Sequence, residues 1–227
     1  MKITLSNRLN KISNFVKPYR NIVDIGTDHC LVPISLMLKK EIDYAIATDI
    51  NEGPIKEAVK NVKFYKLENH IDIRQGNGLC PLSENDNLDV IIISGMGGLL
   101  ITDILNTGKD ILHLNKRLIL QPNIHEEYVR RWLMENAYEI VLEDMVYEDG
   151  IYYEIIVGDK HPFRIDYSMK ELKFGPLLLK SKNHLFREKW QKILAKKEET
   201  IINIPNNHKK KRNFADEIEL IKEVLDG

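Results

Sequence analysis

Only two cysteines, Cys30 and Cys80, occur in 227 residues, so the chain has no disulfide framework and reads as a reduced protein. Long apolar runs are missing too. The stretch from Val90 to Ile93 is far below the ~18 residues a membrane helix needs. The N-terminus lacks an apolar segment followed by a small-residue cleavage site, so no signal peptide is expected, and a cytoplasmic location is. With 12 glycines and 8 prolines, neither a collagen-like nor a low-complexity chain is possible. No His/Cys set has zinc spacing, and His113, His125, His161, His184 and His208 are scattered, so no metal is expected. Ser94 lacks the G-x-S-x-G setting of a hydrolase nucleophile.

Net charge is nearly absent overall, at 33 basic against 34 acidic residues, but it is unevenly spread. Residues 1–160 carry 18 basic and 24 acidic side chains, whereas 161–227 carry 15 and 10. The stretch 170–212 alone holds 13 against 4. Such a split suits an acidic catalytic body with a basic arm for a polyanion, and equally a solvated, lysine-rich helical surface.

The first 160 residues alternate short β-branched runs with helical periodicity, the pattern of a parallel sheet covered by helices. Strands are expected at 21–25, 44–48, 71–74, 89–93 and 117–120. Helices are expected around Leu5 to Val16, over 32–38, 55–65, 99–105 and 126–135. Two further strand-like runs, 138–147 and 151–157, meet at Glu148-Asp149-Gly150, a strong hairpin signal. A hairpin cannot join parallel neighbours, so one of its strands must run against the sheet. A seven-stranded parallel α/β sheet closed by an antiparallel terminal hairpin is the pattern of the class I, Rossmann-like methyltransferase fold. Beyond residue 160, residues 161–174 read as a connector and Gly175-Pro176 as a break. Phe186, Trp190, Ile193 and Ile201, then Phe214, Ile218, Ile221 and Leu225, mark two amphipathic helices joined by a turn at Pro205-Asn206-Asn207. We therefore expect a catalytic domain at 1–160 and a basic, coiled-coil-like helical hairpin at 161–227.

Ligands of open α/β sheets bind beyond the C-terminal strand ends. Those ends are expected at Gly26, Asp49, Asn77, Gly95 and Asn123. The first turn reads Asp24-Ile25-Gly26-Thr27-Asp28-His29 and lacks the three glycines of a G-x-G-x-x-G pyrophosphate loop. A carboxylate at Asp28 repels diphosphate but accepts hydrogen bonds from an ammonium. That favours S-adenosylmethionine over NAD, with a plain β-α turn as the bland alternative. Asp49, with Asn51 close by, suits vicinal ribose hydroxyls. Asn77 offers a donor and an acceptor for an adenine edge, or simply forms a left-handed turn. Three glycines in Ser94-Gly95-Met96-Gly97-Gly98 indicate close backbone approach to a ligand or tight packing of the next helix. Met96 could pack on an adenine face or in the core. Enzymes that methylate exocyclic amines typically carry two prolines and an aromatic there, and this chain has neither, so a ring nitrogen is the expected target.

Leu5-Ser6-Asn7-Arg8-Leu9, Asp24-Ile25-Gly26-Thr27-Asp28-His29, Asn51-Glu52-Gly53-Pro54, Arg74-Gln75-Gly76-Asn77-Gly78-Leu79, Ser94-Gly95-Met96-Gly97-Gly98, Arg117-Leu118-Ile119-Leu120-Gln121-Pro122-Asn123 and Glu148-Asp149-Gly150 together resemble the bacterial tRNA (adenine(22)-N1)-methyltransferase family. The resemblance implies transfer of a methyl from S-adenosylmethionine to N1 of an adenosine in tRNA. It also implies that Gly26, Asp28 and His29, beside Asp24, hold the methionine end. Asp49, which Asn51 is close enough to assist, would take the ribose, Asn77 and Gly78 the adenine, and Gly95 and Met96 would border the sulfonium. The sequence departs from the family's usual residues at Thr27 (Ser), Asn77 (Asp) and Asp49 (Glu). Arg8, Asp28 and Asn123 are the candidate catalytic residues. Arg8 with Lys189, Lys192, Lys196, Lys197, Lys209, Lys210, Lys211 and Arg212 are the candidate tRNA contacts. A membrane, a metal and an obligate protein partner are not expected. The rival classes are a methyltransferase for another RNA or a small molecule, an NAD-dependent oxidoreductase, and a non-catalytic tRNA-binding protein.

Overall fold

A computed structural model describes residues 3–113, 115–205 and 209–227, apart from the side chains of Lys209 and Lys210. Helix α1 (Asn7–Asn14) starts where the Ser6 hydroxyl accepts from the Leu9 amide, satisfying one of the free N-terminal donors. Strand and helix then alternate as β1 (Asn21–Ile25), α2 (Leu31–Leu38), β2 (Tyr44–Asp49), α3 (Glu52–Phe64) and β3 (Ile71–Gln75). The series continues through β4 (Val90–Met96), α4 (Gly98–Thr107), β5 (Arg117–Pro122) and α5 (Glu126–Glu135), and closes with β6 (Tyr138–Glu148) and β7 (Ile151–Lys160).

The seven strands lie in the order β3-β2-β1-β4-β5-β7-β6. β1 to β5 pair in parallel, while β7 runs antiparallel to both β5 and β6. The expected fold class therefore stands. The central strands read as unbroken apolar runs because helices cover both faces. Ile22, Val23, Ile91 and Ile92 are completely buried. The order reverses between β1 and β4, and the crevice beside that switch, over the C-terminal strand ends, is where open α/β sheets take ligands. β4 runs past its expected end to Met96, with a register shift against β5 between Ser94 and Met96. Such a bulge re-aims the backbone at the mouth of the crevice.

Residues 161–174 are more than a connector. Helix α6 (Met169–Phe174) begins at Ser168 with a complete capping box to Glu171, a Ser-x-x-Glu signal that was legible in the sequence. α6 is held by Arg130 of α5, which is fully buried. Its guanidinium pairs with Glu143 on β6 and Glu154 on β7 and donates to the carbonyls of Leu172 and Lys173. Gly175 follows at φ +88°, where a Cβ would lie 2.7 Å from the Glu143 carboxylate and 2.8 Å from Arg130 Nη2. Backbone conformation and space both demand glycine there. The chain divides into compact units at Met1–Pro176 and Leu177–Gly227, so 161–176 packs with the first unit.

The chain continues through α7 (Pro176–Ser181) into α8 (His184–Ile202) and α9 (Lys209–Asp226). α8 and α9 form the expected helical hairpin. It is pinned by Lys197 to Glu217, by Lys222 to Glu198 at 2.9 Å, and by Arg187 donating to the Leu225 carbonyl at 3.0 Å. Phe186, Trp190, Ile218, Ile221 and Val224 are its buried apolar residues. Of the expected turn, Asn206 and Asn207 lie outside the described residues, as does His208.

Candidate active site

A cleft of about 260 Å³ opens over the C-terminal ends of β1 and β4, lined by Arg8, Asp24, Gly26, Thr27, Asp28, His29, Ser94 and Gly95, with Leu9, Leu31 and Val32 as its apolar wall. Each side chain arrives there for a local reason. Gly26 turns the chain at φ +69°, and a Cβ on it would sit 2.3 Å from the Met96 methyl, so the two loops close only around glycine. Asp28 and Cys30 also take positive φ, which compresses the turn before α2.

Asp24 is buried and accepts from the Thr27 hydroxyl at 2.6 Å. Burial pushes its carboxyl from 3.8 up to about 7; the Thr27 hydrogen bond opposes this rise and the charge of Asp49 adds to it. Burial, with Asp24 beside it, also pushes the Cys30 thiol up, so Cys30 stays protonated and is no nucleophile. Asp49, at the end of β2, is buried as well. It accepts from the amides of Asn51 at 2.9 Å and Asp28 at 3.4 Å, which ties the second strand end to the first turn.

Arg8 reaches the cleft because α1 is docked on the distant hairpin. The Asn7 amide donates to Glu148 at 2.7 Å across 141 residues, and Lys11 pairs with Asp144 at 2.8 Å. The Arg8 guanidinium lies over the Tyr153 ring at 5.2 Å and donates to Gln121 Oε1 at 2.5 Å. Gln121, which sequence reasoning did not single out, joins this cluster. Completely buried on β5 opposite Ser94, it also accepts from the Gly95 amide at 3.1 Å and donates to Asn123 Oδ1 at 3.0 Å. Asn123 in turn donates to the Gly95 carbonyl at 2.8 Å. Arg8, Gln121, Gly95 and Asn123 thus form one network at the cleft mouth.

The remaining candidates are more dispersed. Asn77 is exposed beyond β3, and Gly78 packs against Ile104 of α4; neither lines the cleft itself. Their loop is anchored by Arg74, which makes a bidentate pair with Asp86 at 2.7 and 2.8 Å and donates to the Pro81 carbonyl at 3.0 Å. The Asp28 carboxylate is exposed and lies 3.5 Å from His29 Nε2. In the C-terminal unit, Lys192, Lys196 and Arg212 are exposed. Lys197 is committed within the hairpin, to Glu217 and over the Phe214 ring, and Lys211 donates to the Ile204 carbonyl at 2.9 Å. Of the expected tRNA contacts, Lys197 and Lys211 thus already have partners within this unit. Lys189 lies over Trp190, and the side chains of Lys209 and Lys210 are outside the described residues.

A parallel sheet closed by an antiparallel pair, with a carboxylate-lined cleft at its switch point, defines a Rossmann-like methyltransferase. The family described as tRNA (adenine(22)-N(1))-methyltransferase matches residues 22–223. A Bacillus subtilis (strain 168) protein of that name is 37% identical over 99% of this chain and 98% of its own. A Streptococcus pneumoniae protein solved in complex with S-adenosyl-L-methionine superposes with a TM-score of 0.91, at 38% identity over 98% of this chain and 100% of that one. A relative from M. capricolum, solved with S-adenosyl-homocysteine, gives a TM-score of 0.91 at 29% identity over 99% of both chains. The chain belongs to the tRNA (adenine(22)-N(1))-methyltransferase family.

Proposed function

We propose that this protein transfers a methyl group from S-adenosylmethionine to N1 of an adenosine, position 22, in tRNA, and that it does so in the cytoplasm. The observation that carries the reading is the charge of the cleft. Asp24 and Asp28 line it, Asp49 adjoins it through the Asp28 amide, and among the described residues Arg8, already engaged with Gln121, is the one Lys or Arg in the lining. A diphosphate is repelled there, whereas an ammonium and a sulfonium are attracted. The residues present therefore fit S-adenosylmethionine: Asp24 and the Gly26–His29 turn for the amino-acid end, Asp49 and Asn51 for the ribose, Asn77 and Gly78 for the adenine, and Gly95 and Met96 beside the sulfonium.

When bound, S-adenosylmethionine supplies an electrophilic methyl on a sulfonium that leaves as a neutral thioether. Adenine N1 already carries a lone pair at neutral pH, so the protein needs no strong base to create the nucleophile. Its contribution is positioning and charge. The Arg8–Gln121–Asn123 network holds the Gly95 backbone where the two reactants must meet. The Gly95 carbonyl, Asn123 Oδ1 and Asp28 are the acceptors near the ring that becomes cationic. The exposed lysines of α8, with Arg212 of α9, supply phosphate contacts.

Asp24 makes the cofactor end pH-sensitive. A bound ammonium stabilises its charged form, so binding releases a proton wherever the free carboxyl is protonated. S-adenosylhomocysteine affinity is expected to fall about tenfold between pH 7 and 5.5 by calorimetry, and Asp24→Asn to bind more weakly with a flat profile. Stability runs the opposite way. The raised carboxyl favours folding most below its unfolded value of 3.8, and that contribution is lost as pH rises through about 7.

The function is tested by nucleoside mass spectrometry of unmodified tRNA incubated with the protein and labelled cofactor. One labelled 1-methyladenosine per tRNA is expected, and none when adenosine 22 is replaced by guanosine. Label persisting in the replaced tRNA, or appearing only on a small molecule, overturns it.

A further inference from the structure

Immediately outside the cleft network lies a surface that the transfer itself does not use. Asn123 is tied to Gly95 by its side chain and to the Met96 carbonyl by its amide, at 2.7 Å. The next residues, Ile124 and His125, and then Tyr128 on the first turn of α5, are all exposed, Ile124 by 59% and Tyr128 by 45%. Leu99, in the first turn of α4, is 53% exposed, and this helix start meets the segment through the Gly98 amide and the Ile124 carbonyl at 2.8 Å. That approach is enforced. A Cβ on Gly98 would fall 2.2 Å from the His125 carbonyl oxygen, and one on Gly97 would touch Ile124.

His125 departs from the economical choice for its position. It occupies the N-cap of α5 in the left-handed region, at φ 64° and ψ 46°, and makes no side-chain cap. A non-glycine residue there is strained, and a capping side chain would satisfy a free helix donor. Instead the imidazole stands edge-on to the Tyr128 ring, with centroids 5.6 Å apart and planes at 87°. Strain of this kind concentrates at functional surfaces.

We propose that Ile124, His125, Tyr128 and Leu99 form a platform that receives an unpaired base of the RNA adjacent to the methylated adenosine. An adenine must leave its stack to reach a pocket, which strips a neighbouring base of its partner face. The platform begins one residue from the cleft network and presents apolar and aromatic surface. Glu126 and Glu127 beside it disfavour phosphates, so it takes a base by stacking rather than the backbone. Tyr128 contributes ring area; its hydroxyl is dispensable. This inference rests on the tRNA reading above.

The test is a cycle between Tyr128→Ala and tRNAs made abasic at the nucleotide on either side of adenosine 22. With intact tRNA, Tyr128→Ala is expected to lower kcat/KM about 10- to 100-fold, while S-adenosylhomocysteine affinity and melting temperature stay unchanged and Tyr128→Phe retains the parent rate. One of the two abasic tRNAs should cost the parent a similar factor and remove most of the difference between parent and Tyr128→Ala. Ile124→Ala should show the same coupling at a smaller size. A parent-like Tyr128→Ala, or a loss that is equally large with both abasic tRNAs, overturns the proposal and leaves the patch to another partner such as a protein. Failure of the parent protein to methylate intact tRNA would instead sink the functional reading.

Discussion

Asp49→Ala is expected to weaken S-adenosylhomocysteine binding by about 100-fold or more, with little change in melting temperature. Two effects combine. The carboxylate is the expected acceptor for two ribose hydroxyls, and hydrogen bonds to a charged group contribute about 1.5–3 kcal/mol each. It also holds the Asn51 amide at 2.9 Å and reaches the Asp28 amide at 3.4 Å, so its loss frees the first turn of the cleft at the same time. Asp49→Asn keeps one acceptor oxygen and should fall between the two. Calorimetric titration decides the matter: a change below about threefold for the alanine variant would show that the ribose is held elsewhere.

The largest stability effect is expected at Arg130, far from the chemistry. Arg130→Met leaves two carboxylates, Glu143 and Glu154, buried in the same place without their guanidinium, and removes the donor for two carbonyls of α6. Breaking a buried ion pair from one side costs about 3–5 kcal/mol. For a chain of this size that lowers the melting temperature by roughly 6–20 °C. Replacing all three residues together, as Arg130→Met with Glu143→Leu and Glu154→Met, should recover much of the loss, because no charge is then left in the apolar setting. If the single variant melts with the parent, the triad is not what fastens α6 to the sheet.

These expectations differ in how far they could be read from the chain. Asp49 was visible because a parallel strand ending in a carboxylate is a local pattern, and β2 ends at that residue. The seven strands were visible for the same reason: β-branched runs bounded by Gly, Asp or Asn need no distant information. α6 was missed although its Ser-x-x-Glu box stands in the sequence, because six residues carry too little periodicity to show a helix. Gln121 could not be found at all. An amide in an apolar strand has meaning only once register sets it opposite Ser94 and within reach of Arg8, 113 residues away. The partner of Lys197 was hidden for the complementary reason: in sequence it belongs to a basic run, and only the pairing of α8 with α9 turns it onto Glu217.

Arg130 and Gly175 make the same point about the boundary between the units. Composition changes after residue 160, and charge counts followed it, but the first unit runs on to Pro176, past the α6 carbonyls that the buried guanidinium holds.

By itself the amino-acid order determined the alternation of strand and helix, the reversed closing strand, and the loops in which cofactor chemistry had to lie, since each depends on neighbours within a few residues. Tertiary structure alone decided which charges are buried and which meet: the raised carboxyl of Asp24, the Arg8–Gln121–Asn123 network, the Arg130 triad and the exposed rim at Tyr128. Desolvation and Coulomb interaction act through space, and the distances that govern them exist only after the chain has closed on itself.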